Sequence, residues 1–237
     1  MATYSYAQGT QSFETRQTDM TGMQRMASKM WAPWIVMGLM MVLIAFIIGL
    51  VLQDRVGFWF SFPKAERDAA VAGTDIVSAK AFIEATKVWL PAFKFLGLGM
   101  MLGGITFLLA TILGTLRPSG AAVQRALGAD VKLYKPAIAN VFPVLMMMVM
   151  IAALVIGIVM GVQANDLYSN SIATIDSAPS GSELLAQLGR INAVTAWLAP
   201  FKFVGMALLF SGIATALVTI IYVLRWQSRR VLELVGQ

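Results

Sequence analysis

The chain of 237 residues contains no cysteine and no histidine. Without cysteine it has no disulfide, no thiol nucleophile and no cysteine-ligated iron–sulfur cluster. Without histidine it has no Ser–His–Asp triad, no histidine-bound haem and no ordinary zinc, copper or non-haem iron site. The sequence therefore predicts no cofactor, no metal site and no catalytic residue, and we expect the chain not to be an enzyme.

Charged residues are also scarce, at 13% of the chain against about 25% in soluble domains. Hydrophobic residues make up 58%, and the mean hydropathy is +0.74. This composition excludes a soluble globular protein and predicts an all-α integral membrane protein. The net charge of +6 resembles that of nucleic-acid-binding proteins. However, the basic residues cluster in loops, as in many membrane proteins, so no nucleic-acid partner is expected.

Four apolar runs are each long enough to cross a hydrocarbon core of about 30 Å. In lipid the backbone polar groups find partners only within a helix or a closed barrel, so these runs are predicted to be transmembrane helices. Their predicted bounds are 31–52, 88–116, 136–162 and 196–224. The segments between them are an N-terminal tail (1–30), an outer loop (53–87) with a helix from about 75, a basic loop (118–135), a second outer loop (163–195) with a helix from about 183, and a C-terminal tail (226–237).

Two of these segments carry further local signals. In the N-terminal tail, Thr18 and Asp19 precede methionines at helical spacing, which favours an interfacial helix over the alternative of a disordered tail. In the second outer loop, Ser180-x-x-Glu183 is the pattern of a capping box. The first half of each outer loop, 57–73 and 165–181, is rich in turn-forming residues and is expected to be irregular.

The distribution of charge predicts the orientation of the chain. Counted with Arg117 and Arg225 at the adjoining helix ends, the two tails and the middle loop carry ten basic and four acidic residues, whereas the outer loops carry six basic and eight acidic residues. Because positive residues accumulate on the cytoplasmic side, both termini are predicted to be cytoplasmic. The expected location is a membrane of the bacterial inner-membrane type.

The chain also contains an internal repeat with an offset of 108 residues. Residues 89–117 and 197–225 share 13 identities in 29 positions without a gap, among them Trp89/Trp197, Lys94/Lys202 and Arg117/Arg225. A single offset over helix, loop and helix indicates a tandem duplication of a two-helix unit, covering 31–117 and 136–225. Because each unit crosses the membrane twice, the predicted pseudo-twofold axis lies along the membrane normal.

The repeated segment supplies the candidate binding residues. Lys94 and Lys202 lie about one turn inside the predicted outer boundary, close to Trp89 and Trp197. One interpretation is that the lysines extend to lipid headgroups beside a belt of tryptophans. The other is a site for an anion or lipid headgroup, or an ion pair with a partner subunit.

Small residues spaced four apart recur in the predicted helices. Such pairs let helix backbones approach closely, which drives helix association in lipid. The residues assigned to helix packing are Ala45, Gly49, Gly99, Gly103, Ala153, Gly157, Gly161, Ala207 and Ser211. The pattern does not separate packing within the chain from packing against a partner.

Three functions are compatible with these features. The first is a non-catalytic accessory or scaffold subunit of a larger membrane complex, for example a respiratory or membrane oxidase or monooxygenase assembly, with membrane lipids and other membrane subunits as partners. The second is a small oligomeric transporter or channel. It is weakened because no Asp or Glu lies within a predicted span, where proton-coupled transport needs titratable groups. The third is an enzyme acting on lipid, supported only by acidic residues in the outer loops, such as Asp68 and Asp176.

Overall fold

The computed structural model describes residues 22–126, 130 and 141–236, and within these ranges it is helical with no strand. The all-α prediction is confirmed for this part of the chain. The six helices described are α1 (Gly22–Phe60), α2 (Lys64–Ala69), α3 (Asp75–Ala126), α4 (Val141–Tyr168), α5 (Ile172–Asp176) and α6 (Glu183–Val235).

Four of these helices, α1, α3, α4 and α6, are long and apolar enough to cross a membrane. Mean hydropathy over their most apolar 18-residue stretches runs from 2.1 in α3 to 3.1 in α1. Such stretches satisfy every backbone hydrogen bond internally and expose apolar side chains, as a bilayer requires. The prediction of an integral membrane protein with four apolar helices is thereby supported by the fold.

The long helices extend past the apolar runs. Residues 22–30, assigned from the sequence to an interfacial helix, are the first residues of α1, whereas Thr18, Asp19 and the rest of the tail lie outside the described residues. Helix α3 continues to Ala126, well into the predicted middle loop. At the other end, α3 and α6 begin in the outer loops and run without a break through Pro91 and Pro200.

The first half of each outer loop is more ordered than the sequence indicated. Helices α1 and α4 extend to Phe60 and Tyr168, and the short helices α2 and α5 follow. The expectation of irregular loops was wrong in these parts. Pro63 separates α1 from α2, because the residue before a proline is disfavoured in the helical conformation, whereas proline itself is tolerated where a helix starts.

Each long outer-loop helix starts after a glycine with a positive φ. Gly73 has φ of 86° and Gly181 has φ of 80°, a conformation in which a side chain is strained. The next residue then caps the helix: Thr74 Oγ1 accepts from the Val77 amide at 3.5 Å. Likewise Ser182 Oγ accepts from the Leu185 amide at 3.4 Å. The side chain that caps α6 is therefore that of Ser182 rather than that of Ser180, which lies before the turn at Gly181.

The chain divides into two compact units, to each of which the long helices contribute. Unit 1 comprises Met1–Ile35, Leu102–Pro143 and Leu209–Gln237. Within it, the ring of Trp34 lies edge-on to that of Phe107 with centroids 5.0 Å apart. The side-chain amide of Gln227 also donates to the Leu116 carbonyl at 3.0 Å, which joins α6 to α3 by a polar contact.

Unit 2 comprises Val36–Met101 and Val144–Leu208. A buried apolar cluster in this unit combines residues of α3, α4, α5 and α6. The members are Val88, Met160, Ala164, Leu167, Ile175 and Ile191. Unit 2 also contains four candidate residues, Trp89, Lys94, Trp197 and Lys202, and a pocket that residues of the two outer loops line.

Candidate functional site

The repeated aromatic pairs adopt the same geometry in α3 and α6. The ring centroids of Trp89 and Phe93 are 5.9 Å apart, with an angle of 76° between the ring planes. The corresponding values for Trp197 and Phe201 are 5.7 Å and 77°. A spacing of four residues places both rings on one face of a helix. The surroundings of the tryptophans differ, because Trp197 is 45% exposed whereas Trp89 is partly buried.

The two candidate lysines also lie in different surroundings. Lys94 is exposed, whereas Lys202 is only 7% exposed. The Lys202 ammonium lies 5.8 Å from the centroid of the Phe95 ring, close enough for a weak cation–π interaction. In the described ranges no carboxylate forms an ion pair with Lys202. Lys94 is therefore accessible at the surface of the chain, while the Lys202 ammonium lies near an aromatic ring; their contact with a headgroup or a partner stays a prediction.

An apolar groove of about 790 Å³ opens beside the first tryptophan. Its walls come from α1, α3 and α4 and include Ile48, Trp89 and Ile158. Thr86 and Asn165 are the polar side chains that line it. Because such a surface offers almost no hydrogen-bonding groups, the groove suits an apolar chain or a packed helix rather than a hydrated solute.

The small residues of α1 and α4 are placed unequally. Ala45 and Ala153 are each 1% exposed. A Cβ added to Gly157 would lie 3.3 Å from Ala92 Cβ, and one added to Gly161 would lie 3.0 Å from Trp89 Cδ1, so α4 packs closely on α3 there. A Cβ added to Gly49 would meet nothing within 4 Å, which leaves that part of α1 open.

The small residues of α3 and α6 also differ. Gly99 and Gly103 are buried, and a Cβ on Gly99 would lie 3.5 Å from Met146 Sδ. Ala207 and Ser211 of α6 are exposed, although each has an interaction within the chain. The role of these residues in helix packing stays a prediction.

One close approach of two helices in unit 2 involves a glycine that the spacing pattern did not single out. A Cβ added to Gly38 would lie 2.5 Å from the Gly97 carbonyl oxygen and 2.6 Å from the Met101 amide nitrogen. These are backbone atoms of α3, so α1 and α3 touch almost backbone to backbone here. Gly97 did stand out in the sequence as an identity of the repeat, but Gly38 has no small residue four positions away.

The threonines within the apolar helices bond to their own backbone. Thr111 Oγ1 donates to the Phe107 carbonyl at 2.9 Å, and Thr219 Oγ1 donates to the Thr215 carbonyl at 2.7 Å. Hydroxyls satisfied in this way need no water. They therefore provide no argument for an aqueous path.

The described residues contain no group of three or more His, Cys, Asp or Glu side chains that could hold a metal ion. Comparisons of the chain with protein-family models, with curated proteins and with solved structures found no match.

Proposed function

We propose that the protein is a non-catalytic accessory or scaffold subunit of a larger membrane complex. The observation that carries the proposal is the low burial of α1. Only 11% of its most apolar stretch is buried, compared with 44%, 33% and 28% in α3, α4 and α6. Because helices associate in lipid through close packing rather than through the hydrophobic effect, a spanning helix with this much uncovered surface is well suited to contact another subunit.

The element boundaries support a tandem duplication as the origin of this architecture. The ends of α1 and α4, at Phe60 and Tyr168, are 108 residues apart, and so are the starts of α3 and α6, at Asp75 and Glu183. The short helices α2 and α5 start with the same separation. The two glycines with positive φ, Gly73 and Gly181, also keep it.

Helix contacts support the duplication independently of the boundaries. A Cβ on Gly97 would meet Met41 Cβ at 3.0 Å and Val42 Cγ2 at 3.2 Å. A Cβ on Gly205 would meet the residues 108 positions later, Val149 and Met150, each at 3.2 Å. Two hairpins with the same internal packing favour a parallel arrangement about an axis along the membrane normal.

The proposed repeat also indicates where a contact is missing. In the second hairpin Gly157 packs on α3, where a Cβ added to it would lie 3.3 Å from Ala92 Cβ and 3.4 Å from Trp89 Cα. The equivalent residue of α1 is Gly49, which has no such neighbour. We infer that this open part of α1 receives a spanning helix of a partner subunit. With the termini cytoplasmic, as the charge distribution predicts, it lies in the outer half of a bacterial-type inner membrane.

Gly49→Leu tests this proposal. A Cβ added at Gly49 meets nothing within 4 Å, so we expect the substitution to cost the isolated protein less than about 0.5 kcal/mol of stability. A partner helix that approaches closely at Gly49 would be held away, so the partner recovered after mild-detergent extraction should fall by about tenfold or more. The measurement is quantitative mass spectrometry of subunits that co-purify from native membranes.

Gly57→Leu is the matched control, because Gly57 lies on the same helix and also has no neighbour within 4 Å. It lies beyond the predicted span, so the amount of partner should be unchanged. Recovery of the wild-type protein as a single species without stoichiometric partners would contradict the proposal.

The alternative function is a small oligomeric transporter or channel. It requires water to reach the interior of the helices, and cysteines introduced at Thr111 and Thr219 would then react with membrane-impermeant thiol reagents. Because both threonine hydroxyls are satisfied within their helices, we expect no labelling in the folded protein. Rapid labelling at both positions would favour the transporter over the accessory subunit.

A further inference from the structure

The two outer loops meet in a small polar pocket. Helices α2 and α5 contact each other, and beside them lies a cavity of about 330 Å³. This volume is at the lower end of the range for small-molecule sites. The cavity is bordered by Trp59 and Tyr168, close to where α1 and α4 end, and by charged residues of α2, α3 and α5.

Arg67 is the central cation of this pocket. Its guanidinium carbon lies 4.2 Å from the centroid of the Trp59 ring and 4.8 Å from that of Phe60. Contacts of this kind hold a guanidinium against aromatic rings, which accept no strong hydrogen bond, and so leave its N–H groups to donate elsewhere. The Arg67 Nε is buried without a hydrogen-bond partner, and within the described ranges no carboxylate pairs with this side chain.

A buried donor without an acceptor requires an explanation, such as a bound water or ion. The fork of donors in arginine matches the oxygens of a phosphate or a carboxylate. Trp59 itself is only 7% exposed, so the ring fixes the position of the guanidinium. Arg67 is therefore oriented in advance for an anionic ligand.

A second cation lies beside the same ring. The Lys80 ammonium is 5.5 Å from the centroid of Trp59 and 5.3 Å from that of Tyr168. Lys80 pairs with Glu84 at 2.8 Å, but Glu84 also pairs with Lys87 at 3.2 Å. One carboxylate is thus shared by two lysines, and the positive charge around Trp59 is incompletely balanced.

The acidic residues of the pocket limit which anion fits. Asp68 pairs with Lys64. Asp176 lines the same cavity as Arg67, but the two do not form an ion pair. A ligand that carries a hydrogen-bond donor near its negative group would satisfy Arg67 and Asp176 together.

We propose that this pocket binds a phosphate group that bears a neighbouring hydrogen-bond donor, such as a phosphoethanolamine group. Arg67 donates to the phosphate oxygens, Lys80 adds positive charge, and Asp176 accepts from the donor. The phosphate belongs either to a phospholipid headgroup, since the pocket lies where two apolar helices end, or to a soluble phosphomonoester.

The experiment measures ligand binding to the delipidated full-length protein in detergent micelles by native mass spectrometry. The probes are phosphatidylethanolamine, phosphatidylcholine and soluble O-phosphoethanolamine. We expect phosphatidylethanolamine to bind more tightly than phosphatidylcholine, whose quaternary amine cannot donate. Competition by O-phosphoethanolamine would assign the site to a soluble ligand, and binding of the lipid without such competition would assign it to the headgroup.

Arg67→Gln should weaken binding of the preferred probe by about ten- to a hundredfold, because it removes a charge-assisted hydrogen bond. Arg67→Lys keeps the charge but not the planar fork and should weaken it by about tenfold. If the glutamine variant does not fold, the binding measured for the lysine variant tests whether Arg67 binds the phosphate. Asp176→Asn should reduce the preference for phosphatidylethanolamine over phosphatidylcholine.

Arg190→Gln is the matched control, because Arg190 is an exposed outer-loop arginine that does not line the pocket. It should leave binding unchanged. The proposal is overturned if none of the three probes binds the wild-type protein, or if a folded Arg67 variant binds as tightly as the wild type.

Discussion

Gly38→Leu is expected to lower the free energy of unfolding by about 3 kcal/mol or more, or to prevent folding. Overpacking in a well-packed interior usually costs about 1–3 kcal/mol. Here the new Cβ would lie 2.5 Å and 2.6 Å from backbone atoms of Gly97 and Met101. Backbone atoms of a helix cannot rotate away as a side chain can, so α1 and α3 would have to separate along the contact.

The measurement is equilibrium unfolding in mixed micelles, followed by circular dichroism. Gly49→Leu is the matched control, since it makes the same substitution in the same helix at a position with no neighbour within 4 Å. Its unfolding should shift by less than about 0.5 kcal/mol. Equal shifts for the two variants would mean that α1 and α3 do not approach each other as described.

Trp89→Ala and Trp197→Ala are expected to differ strongly, although the two tryptophans occupy equivalent positions of the proposed repeat. Replacing a fully buried tryptophan in a soluble core costs about 3–5 kcal/mol. Trp89 is only partly buried, so we expect a loss of about 2 kcal/mol. A Cβ added to Gly161 would lie 3.0 Å from Trp89 Cδ1, so the ring packs closely on α4. Removing the ring deletes the dispersion contacts between the ring and that helix.

Trp197 is 45% exposed, and Gly49 of α1, the equivalent of Gly157 in the proposed repeat, has no neighbour within 4 Å of an added Cβ. Substitution of Trp197 should therefore change the free energy of unfolding by less than about 1 kcal/mol. Both variants are measured by the same micelle titration, with Trp197→Phe as a conservative reference. A loss of stability at Trp197 as large as that at Trp89 would show that neighbouring helices pack on the two tryptophans to the same extent. It would then remove the reason to place a partner on α1.

Local sequence signals concern where a helix starts. The outer-loop helices were expected from about 75 and about 183, and α3 and α6 begin at Asp75 and Glu183. Helical spacing and capping act over a few residues, so they can be read from a short segment. The predicted capping residue was two positions too early, since Ser182 rather than Ser180 accepts the Leu185 amide. Ser180 precedes the turn at Gly181, whose positive φ the capping pattern does not indicate.

The pocket around Arg67 could not be predicted in this way. Arg67 and Trp59 lie in a segment expected to be irregular, and Tyr168 and Asp176 come from the other half of the chain. Helical periodicity relates residues a few positions apart, and it does not indicate contacts between residues about a hundred positions apart. The acidic candidates Asp68 and Asp176 were visible as repeat equivalents, but no local pattern indicated that Arg67 lines a pocket with them.

The composition and the four apolar runs by themselves predicted an all-α protein with four helices able to cross a membrane, because in lipid the backbone finds hydrogen-bond partners only within a helix or a closed barrel. The tertiary structure decided how equivalent residues are used. Lys94 is exposed while Lys202 is buried against Phe95, and Gly157 is covered while Gly49 is open. Burial depends on which helices are neighbours, and two copies of one sequence pattern have different neighbours within a single chain.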